Sequence, residues 1–289
     1  MNSKKILLAS FYGNIPEFVY QEYAVLSALR NTEYELHVLQ TGPSSRLYPG
    51  LEALLIDPTS VPNTIHHKNM IAFEASLREA YPYFNYHFFQ DYISDDEISE
   101  INQFVAELNL SKDLSNYNEI IFRGINLGKF CIFNVLRKQR IELLEHINDK
   151  SHEIFRLSLR TGAMCTVIAE NLSMELKADV IFLSEDLYTC SRTFLNKMRQ
   201  MGQVNVLPLA CGPIASKRIE HCRIAEGFDT GWRERNISNW DSVKEIPQVD
   251  FSLVKTHFRN LFEGRTLLSD EASVLTNEFC PFKKWNINP

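Results

Sequence analysis

The sequence predicts an α/β fold in which a doubly wound, mainly parallel sheet spans residues 1–212, with an irregular and then helical extension over 213–289. Three observations predict it. Six short apolar runs are separated by helical patterns, and such alternation builds parallel sheets through crossover helices. The runs are nearly continuous rather than alternating, which suits strands buried on both faces. The 289 residues are 45% hydrophobic and 23% charged, enough apolar material for a sizeable core.

The first run, "KILLAS" (5–10), follows two lysines and superficially resembles a signal peptide. Its apolar part is shorter than the roughly 7–15 residues of a signal core, so it reads as a strand. Pro16 then suits the first position of a helix over 16–30, with Val19, Tyr23, Leu26 and Leu29 on related faces. Strands follow at "ELHVLQ" (35–40) and "EALLID" (52–57), and a helix at 66–80. The aromatic run "YPYFNYHFFQDY" (81–92) reads as core packing beneath a loop, the rival being a groove lining with Asp91 at its edge. A helix over 94–108 leads to a strand, "EIIFRG" (119–124), and a helical region over 126–175 broken near 148–151. The strand "DVIFLS" (179–184), a helix over 190–202 with Phe194, Met198 and Met201 on one side, and the strand "VNVLPL" (204–209) complete the sheet.

Residues 213–250 lack clean periodicity, and Trp232 and Trp240 within them read as loop anchors. Helical patterns return at 251–263 and 266–279 before the tail "FCPFKKWNINP". This ending reads as a connection to a further domain, with a frayed terminus as the alternative.

Several chemistries lose weight. A net charge of −6 supplies no overall field for phosphates, which argues against nucleic acid; a local basic patch stays open where Lys197, Arg199, Lys217 and Arg218 sit near one another in sequence. The six cysteines (131, 165, 190, 211, 222 and 280) are scattered without a CxxC pair, as expected of reduced, buried thiols in a cytoplasmic protein. No structural zinc site has the spacing it needs. His66 and His67 are adjacent, face different directions on a helix, and read as solvated. No apolar window reaches the roughly 18 residues of a membrane span. GxGxxG, GxxxxGK[ST] and GxSxG are all missing from the sequence.

Three turns carry candidate chemistry. "ASFYGNIPEF" places Gly13 and Asn14 ahead of a helix N-terminus, whose free N–H groups suit an anion or a sugar hydroxyl; a plain turn is the alternative. "FRGINLGKF" places Arg123 at the end of a strand, where its fork of donors could hold a phosphate or carboxylate, or else pair with a neighbouring acid. The stretch "LSEDLYTC" puts Glu185, Asp186 and Tyr188 between a strand and a helix. A carboxylate there could take a proton from an attacking hydroxyl or bind sugar hydroxyls. Against this, Asp186 or Ser191 could simply cap the helix while Glu185 is solvated.

On "KKILLASFYGN", "YNEIIFRGINLG" and "ADVIFLSEDLYTCSRTFLNKMRQMGQVNVLPL", the chain resembles the N-terminal half of a GT-B glycosyltransferase of the bacterial capsule and surface-polysaccharide type. The likeness covers 1–212 well and 213–280 loosely. It implies a Rossmann-like domain that binds a glycan or lipid-linked acceptor, with peripheral membrane association compatible with such an acceptor. A second domain or subunit would hold the nucleotide sugar, with no resident cofactor and no metal, in keeping with the missing DxD. In that reading Glu185 or Asp186 is the base, and Gly13, Asn14, Arg123 and Tyr188 bind substrate. The rival expectation is a non-catalytic Rossmann-like binding or assembly module that completes a partner.

Overall fold

The structure is a computed structural model, and it describes residues 4–11, 13, 16–42, 49, 65–139, 147–183, 188–202, 206–210 and 223–224. The chain runs β1 (Lys5–Ala9), α1 (Pro16–Ala28), β2 (Glu35–Gln40), α2 (Ile65–Ala80), β3 (Asn85–Phe88), α3 (Asp95–Glu107), β4 (Ile121–Phe122), β5 (Ile125–Asn126), α4 (Leu127–Gln139), α5 (Asp149–Glu175), β6 (Val180–Leu183), α6 (Thr189–Gln200), β7 (Val206–Ala210) and β8 (Arg223–Ile224). The fold is α/β and mainly parallel, compatible with a Rossmann-like sheet.

The main sheet has the order β3-β2-β1-β6-β7-β8. Four pairings in it are parallel, among them β1 on β2 (Leu8 opposite Val38) and β1 on β6 (Leu8 opposite Phe182). The chain winds outward from β1 to β2 and β3 on one side, then returns to place β6 and β7 on the other. The winding therefore reverses between β1 and β6.

Both faces of the central strands are covered, which is why their sequences do not alternate. Leu7, Ala9, Leu39, Ile181 and Leu183 join one large core with α3, α4, α5 and α6. On the opposite face, Ile6, Val180 and Phe182 share an apolar groove with Val25 of α1 and Leu29 just after it. The centre of the large core is α5, 27 residues and about 40 Å long. Its start is set by a reciprocal capping box between Asn148 and Ser151, which satisfies two N–H groups that the helix leaves orphaned. Ser94 and Glu97 do the same for α3. Small residues let α5 and α6 approach: a Cβ on Gly162 would stand 3.0 Å from Thr189 Cγ2.

Two elements differ from the sequence reading. The run 119–124 is not a strand of the parallel sheet; a 3-10 turn (Ser115–Glu119) leads into the separate antiparallel hairpin of β4 and β5. Arg123 and Gly124 hold φ of 44° and 80°, the two positive values of a type I′ turn, which reverses the chain before a longer strand can form. Conversely, the aromatic run 81–92 contains strand β3 and a 3-10 turn (Phe89–Tyr92). As an edge strand, β3 is only half-buried and lacks the continuous apolar signature of its neighbours. The expected strand at 52–57 lies outside the described residues.

By internal contacts the chain divides into two compact units, 1–210 with 224–228, and 211–223 with 229–289. Apart from Arg223 the second unit, with Trp232 and Trp240, lies outside the described residues.

Candidate functional site

In open parallel sheets, ligands bind beyond the carboxyl ends of the strands where the winding reverses. Here that position lies between β1 and β6. Ser10 and Phe11 follow β1 at the same end of the sheet at which β6 ends in Leu183. Phe11 forms the apolar floor. It is fully buried, stacks on Phe89 at 5.2 Å between ring centres, and meets Phe194 edge-on at 5.3 Å.

On the β1–β2 side, a layer of buried polar side chains lies under this edge. Ser10, just past β1, donates to Glu22 Oε2 of α1 at 2.7 Å. Tyr23 donates from its hydroxyl to Gln40 Oε1, at the end of β2, at 2.7 Å. Thr41 follows, buried, its hydroxyl 3.9 Å from the Met70 sulfur. Glu74 of α2 completes the layer, 2% exposed. Its carboxyl faces the Thr41 backbone amide and the Arg78 side chain, while Gln40 Nε2 has no hydrogen-bond partner. Burial pushes the Glu74 carboxyl well above the usual carboxylate range, and the opposing pull of Arg78 and of the Thr41 amide does not offset it. Gly13 sits directly on this acid: a Cβ there would come within 2.6 Å of Glu74 Oε1 and 3.0 Å of Met70 Cγ. A side chain at Gly13 would thus have to displace the end of the Glu74 side chain. Asn14 lies outside the described residues.

Sequence reasoning passed over Glu22 and Glu74, although a signal for them exists. Glu22 is three residues after Val19 and four before Leu26; Glu74 is four after Met70 and three before Leu77. Both occupy apolar-stripe positions of their helices, where a charged residue is out of pattern.

On the β6 side, Tyr188 is the N-cap residue of α6 and makes no side-chain cap. It is 4% exposed, and the Arg137 guanidinium of α4 lies 4.6 Å from its ring centre, a cation–π contact that also covers the ring. Ser191 does not cap the helix either; its hydroxyl donates back to the Tyr188 carbonyl at 3.1 Å. Tyr188 therefore serves as a wall of the edge. Glu185 and Asp186 lie outside the described residues.

Arg123 is placed elsewhere. Its guanidinium reaches Glu100 at 2.7 Å, Glu170 at 2.9 Å and Glu97 at 3.4 Å, while Lys197 pairs with Glu170 at 2.8 Å and donates to the Arg123 carbonyl at 3.1 Å. Lys197 lies nine residues along α6 from Tyr188, about 13 Å of helix. Arg123 thus belongs to the far end of α6, away from the carboxyl edge of the sheet. Burial opposes ionisation of Glu170, but Lys197 and Arg123 outweigh it and hold its pKa below the usual range. Lys197, buried in this network, is also withdrawn from the basic grouping; Lys217 and Arg218 lie outside the described residues.

A separate polar chain crosses β2 and β3. His37 Nδ1 lies 2.9 Å from His87 Nε2, His87 Nδ1 lies 2.6 Å from the Tyr92 hydroxyl, and Tyr92 donates to Glu175 at 3.3 Å. One proton order satisfies all three contacts: each imidazole carries its proton on Nδ1 and passes the bond towards Glu175. Burial and the neighbouring His87 lower the His37 pKa to about 4.

Cys131, Cys165 and Cys190 are buried thiols. His66 and His67 fall in the first turn of α2, with side chains outside the description. Among the described residues, no group of three or more His, Cys, Asp or Glu could hold a metal ion, and no helix is long and apolar enough to cross a membrane. No protein family, curated protein or solved structure matches the chain.

Proposed function

We propose that residues 1–210 are the acceptor-side, Rossmann-like half of a GT-B glycosyltransferase, working on a surface or capsular glycan or its lipid-linked precursor in the cytoplasm. One observation carries the reading: the carboxyl ends of β1 and β6 lie side by side where the sheet's winding reverses, beside a buried layer of polar side chains. Alternating carboxyl, hydroxyl and amide groups suit a polyhydroxylated ligand, which offers donors and acceptors in equal measure.

In this mechanism Glu185 or Asp186 takes the proton from an acceptor hydroxyl as its oxygen attacks the anomeric carbon. The bond from that carbon to the nucleotide phosphate breaks, and the nucleotide leaves with the electron pair. Tyr188 and the backbone at Gly13 and Asn14 shape the acceptor side. Arg123, engaged by three carboxylates at the other end of α6, drops out of the substrate-binding set. A nucleotide-sugar donor is expected on a second domain or subunit.

The test uses the full chain with radiolabelled UDP-, GDP- and CMP-sugars and a glycan and glycolipid extract of the source cells. Glu185→Ala or Asp186→Ala is expected to lower transfer at one of the two positions by roughly 100-fold or more, with unchanged circular dichroism. Wild-type turnover in both variants removes the assigned base. Binding of saccharide without transfer by the wild-type chain, alone and with its partner fraction, instead identifies a non-catalytic module.

A further inference from the structure

Charge is spread unevenly over the described α-helices. The chain carries 36 acidic residues and a net charge of −6, and α1, α2, α3 and α5 each contain Asp or Glu. Neither α4 nor α6 contains one. These two helices pack side by side in opposite directions. Arg192 of α6 lies 5.2 Å from the Phe133 ring centre and Arg137 of α4 lies 4.6 Å from that of Tyr188, so the contacts advance along α4 as they retreat along α6. Lys129, Phe133 and Arg137 recur at every fourth residue of α4, and Arg192 and Arg199 stand two turns apart on α6, so each set shares one helical face. Lys129 is exposed and the three arginines are half-buried, their stems lying along the helices with the charged heads outermost. Phe133, among them, is 37% exposed. Lys197, the remaining cation of α6, turns inward to Glu170 instead.

Helix stability does not account for this arrangement. Arg137 and Arg199 suit the C-terminal turns they occupy, where the helix dipole favours cations, but Lys129 and Arg192 lie near the N-termini, where it opposes them. A face kept only for solubility mixes both signs; this one has a single sign around an exposed aromatic ring. We propose that the outer face of α4 and α6 is a docking surface for a lipid bilayer that bears anionic headgroups. Charge complementarity selects the partner. Four cations on one side of an acidic chain meet a uniformly negative surface, and each Lys or Arg brought close to it strengthens binding about fivefold. Shape points the same way: two packed helices about 20 Å long present a broad face, which suits a plane better than a linear chain that needs a groove. Phe133 supplies an apolar ring of the kind that settles at the headgroup level between basic side chains. The surface stands on charge and geometry alone, goes beyond the glycosyltransferase reading and does not depend on it.

The experiment mixes the full-length protein with vesicles of phosphatidylcholine alone, or of phosphatidylcholine and phosphatidylglycerol at about 7:3, and reads the bound fraction by co-sedimentation. Wild type is expected to bind the mixed vesicles, to bind pure phosphatidylcholine far more weakly, and to be released as salt rises from about 0.05 to 0.5 M. The double variant Lys129→Gln, Arg199→Gln should bind the mixed vesicles at least about tenfold more weakly, with unchanged circular dichroism. Lys129→Gln alone, at an exposed position, should lose about fivefold and decides the matter if the double variant unfolds. Lys112→Gln with Lys177→Gln removes the same charge outside α4 and α6 and should stay within about threefold of wild type. Equal losses in the two double variants overturn the proposal, because net charge and not this face is then responsible. So does wild type that stays in the supernatant with mixed vesicles, or that binds pure phosphatidylcholine equally well. Retention on heparin without vesicle binding assigns the face to an acidic polysaccharide and overturns the bilayer. Failure of sugar transfer changes none of these outcomes.

Discussion

Arg123→Ala is expected to destabilise the protein without touching ligand recognition. The guanidinium bridges three carboxylates at 2.7, 2.9 and 3.4 Å from the turn of the β4–β5 hairpin. Together with Lys197 the group carries two positive and three negative charges, a net −1 that becomes −2 when Arg123 is removed. The Arg123 side chain is 24% exposed and Glu100 is 50% exposed, so the Glu100 pair is screened and contributes at most about 0.5 kcal/mol. The Glu170 and Glu97 pairs are drier and should contribute roughly 1 kcal/mol each as charge-assisted hydrogen bonds. The expected loss is therefore about 2–3 kcal/mol, read as a lowered urea midpoint by far-UV circular dichroism. Arg123→Gly separates side chain from backbone. It makes the same loss but relieves a left-handed residue at φ 44°, so it should be about 1 kcal/mol more stable than the alanine variant. A loss under about 0.5 kcal/mol for Arg123→Ala, or weakened saccharide binding with stability unchanged, would refute the structural assignment of this residue.

Two further outcomes follow from the same geometry. Gly128→Ala should cost more than about 3 kcal/mol, because its Cβ would run into the Tyr117 carbonyl, a backbone atom that cannot swing away; the protein should be largely insoluble or melt far below wild type. The pH dependence should carry the mark of His37, whose folded pKa is lowered to about 4. The unfolded chain takes up this proton near pH 6.5 and the folded chain resists it, so stability is full above about 6.5 and falls as pH drops towards 4, by no more than about 3 kcal/mol. Urea midpoints between pH 7.5 and 4.5 should show this slope in wild type and a flatter one in His37→Gln; equal slopes would remove His37 as its source.

The helices and central strands were legible because each is written locally. Continuous apolar runs such as "KILLA" and "VIFL" can only be strands or buried helix turns, and their length and flanking breaks select strands. Pro16 and the 148–151 break mark true helix starts. The hairpin at 121–126 was misread because a two-residue reversal at Arg123 and Gly124 overrides the apolar run before it. Strand β3 was hidden because an edge strand needs only half a buried surface, and its aromatics suit a loop equally well.

Gly13 and Tyr188 could be nominated from the sequence as residues beside strand ends, whereas the three carboxylates around Arg123 and the buried places of Glu22, Glu74 and Gln40 could not. Strand ends are visible in a sequence, so residues beside them can be nominated. Which charged side chain turns inward, and which finds three partners at the other end of a helix, depends on what the neighbouring elements bring. Glu74 and Glu22 share a residue type and a stripe position, yet only Glu22 meets a hydroxyl, because β1 delivers Ser10 to it. Local periodicity thus determined the helices and the central strands of this protein. The order in which the strands lie side by side decided which acid meets a hydroxyl and which does not, since pairing and desolvation are set across the sheet and not along the chain.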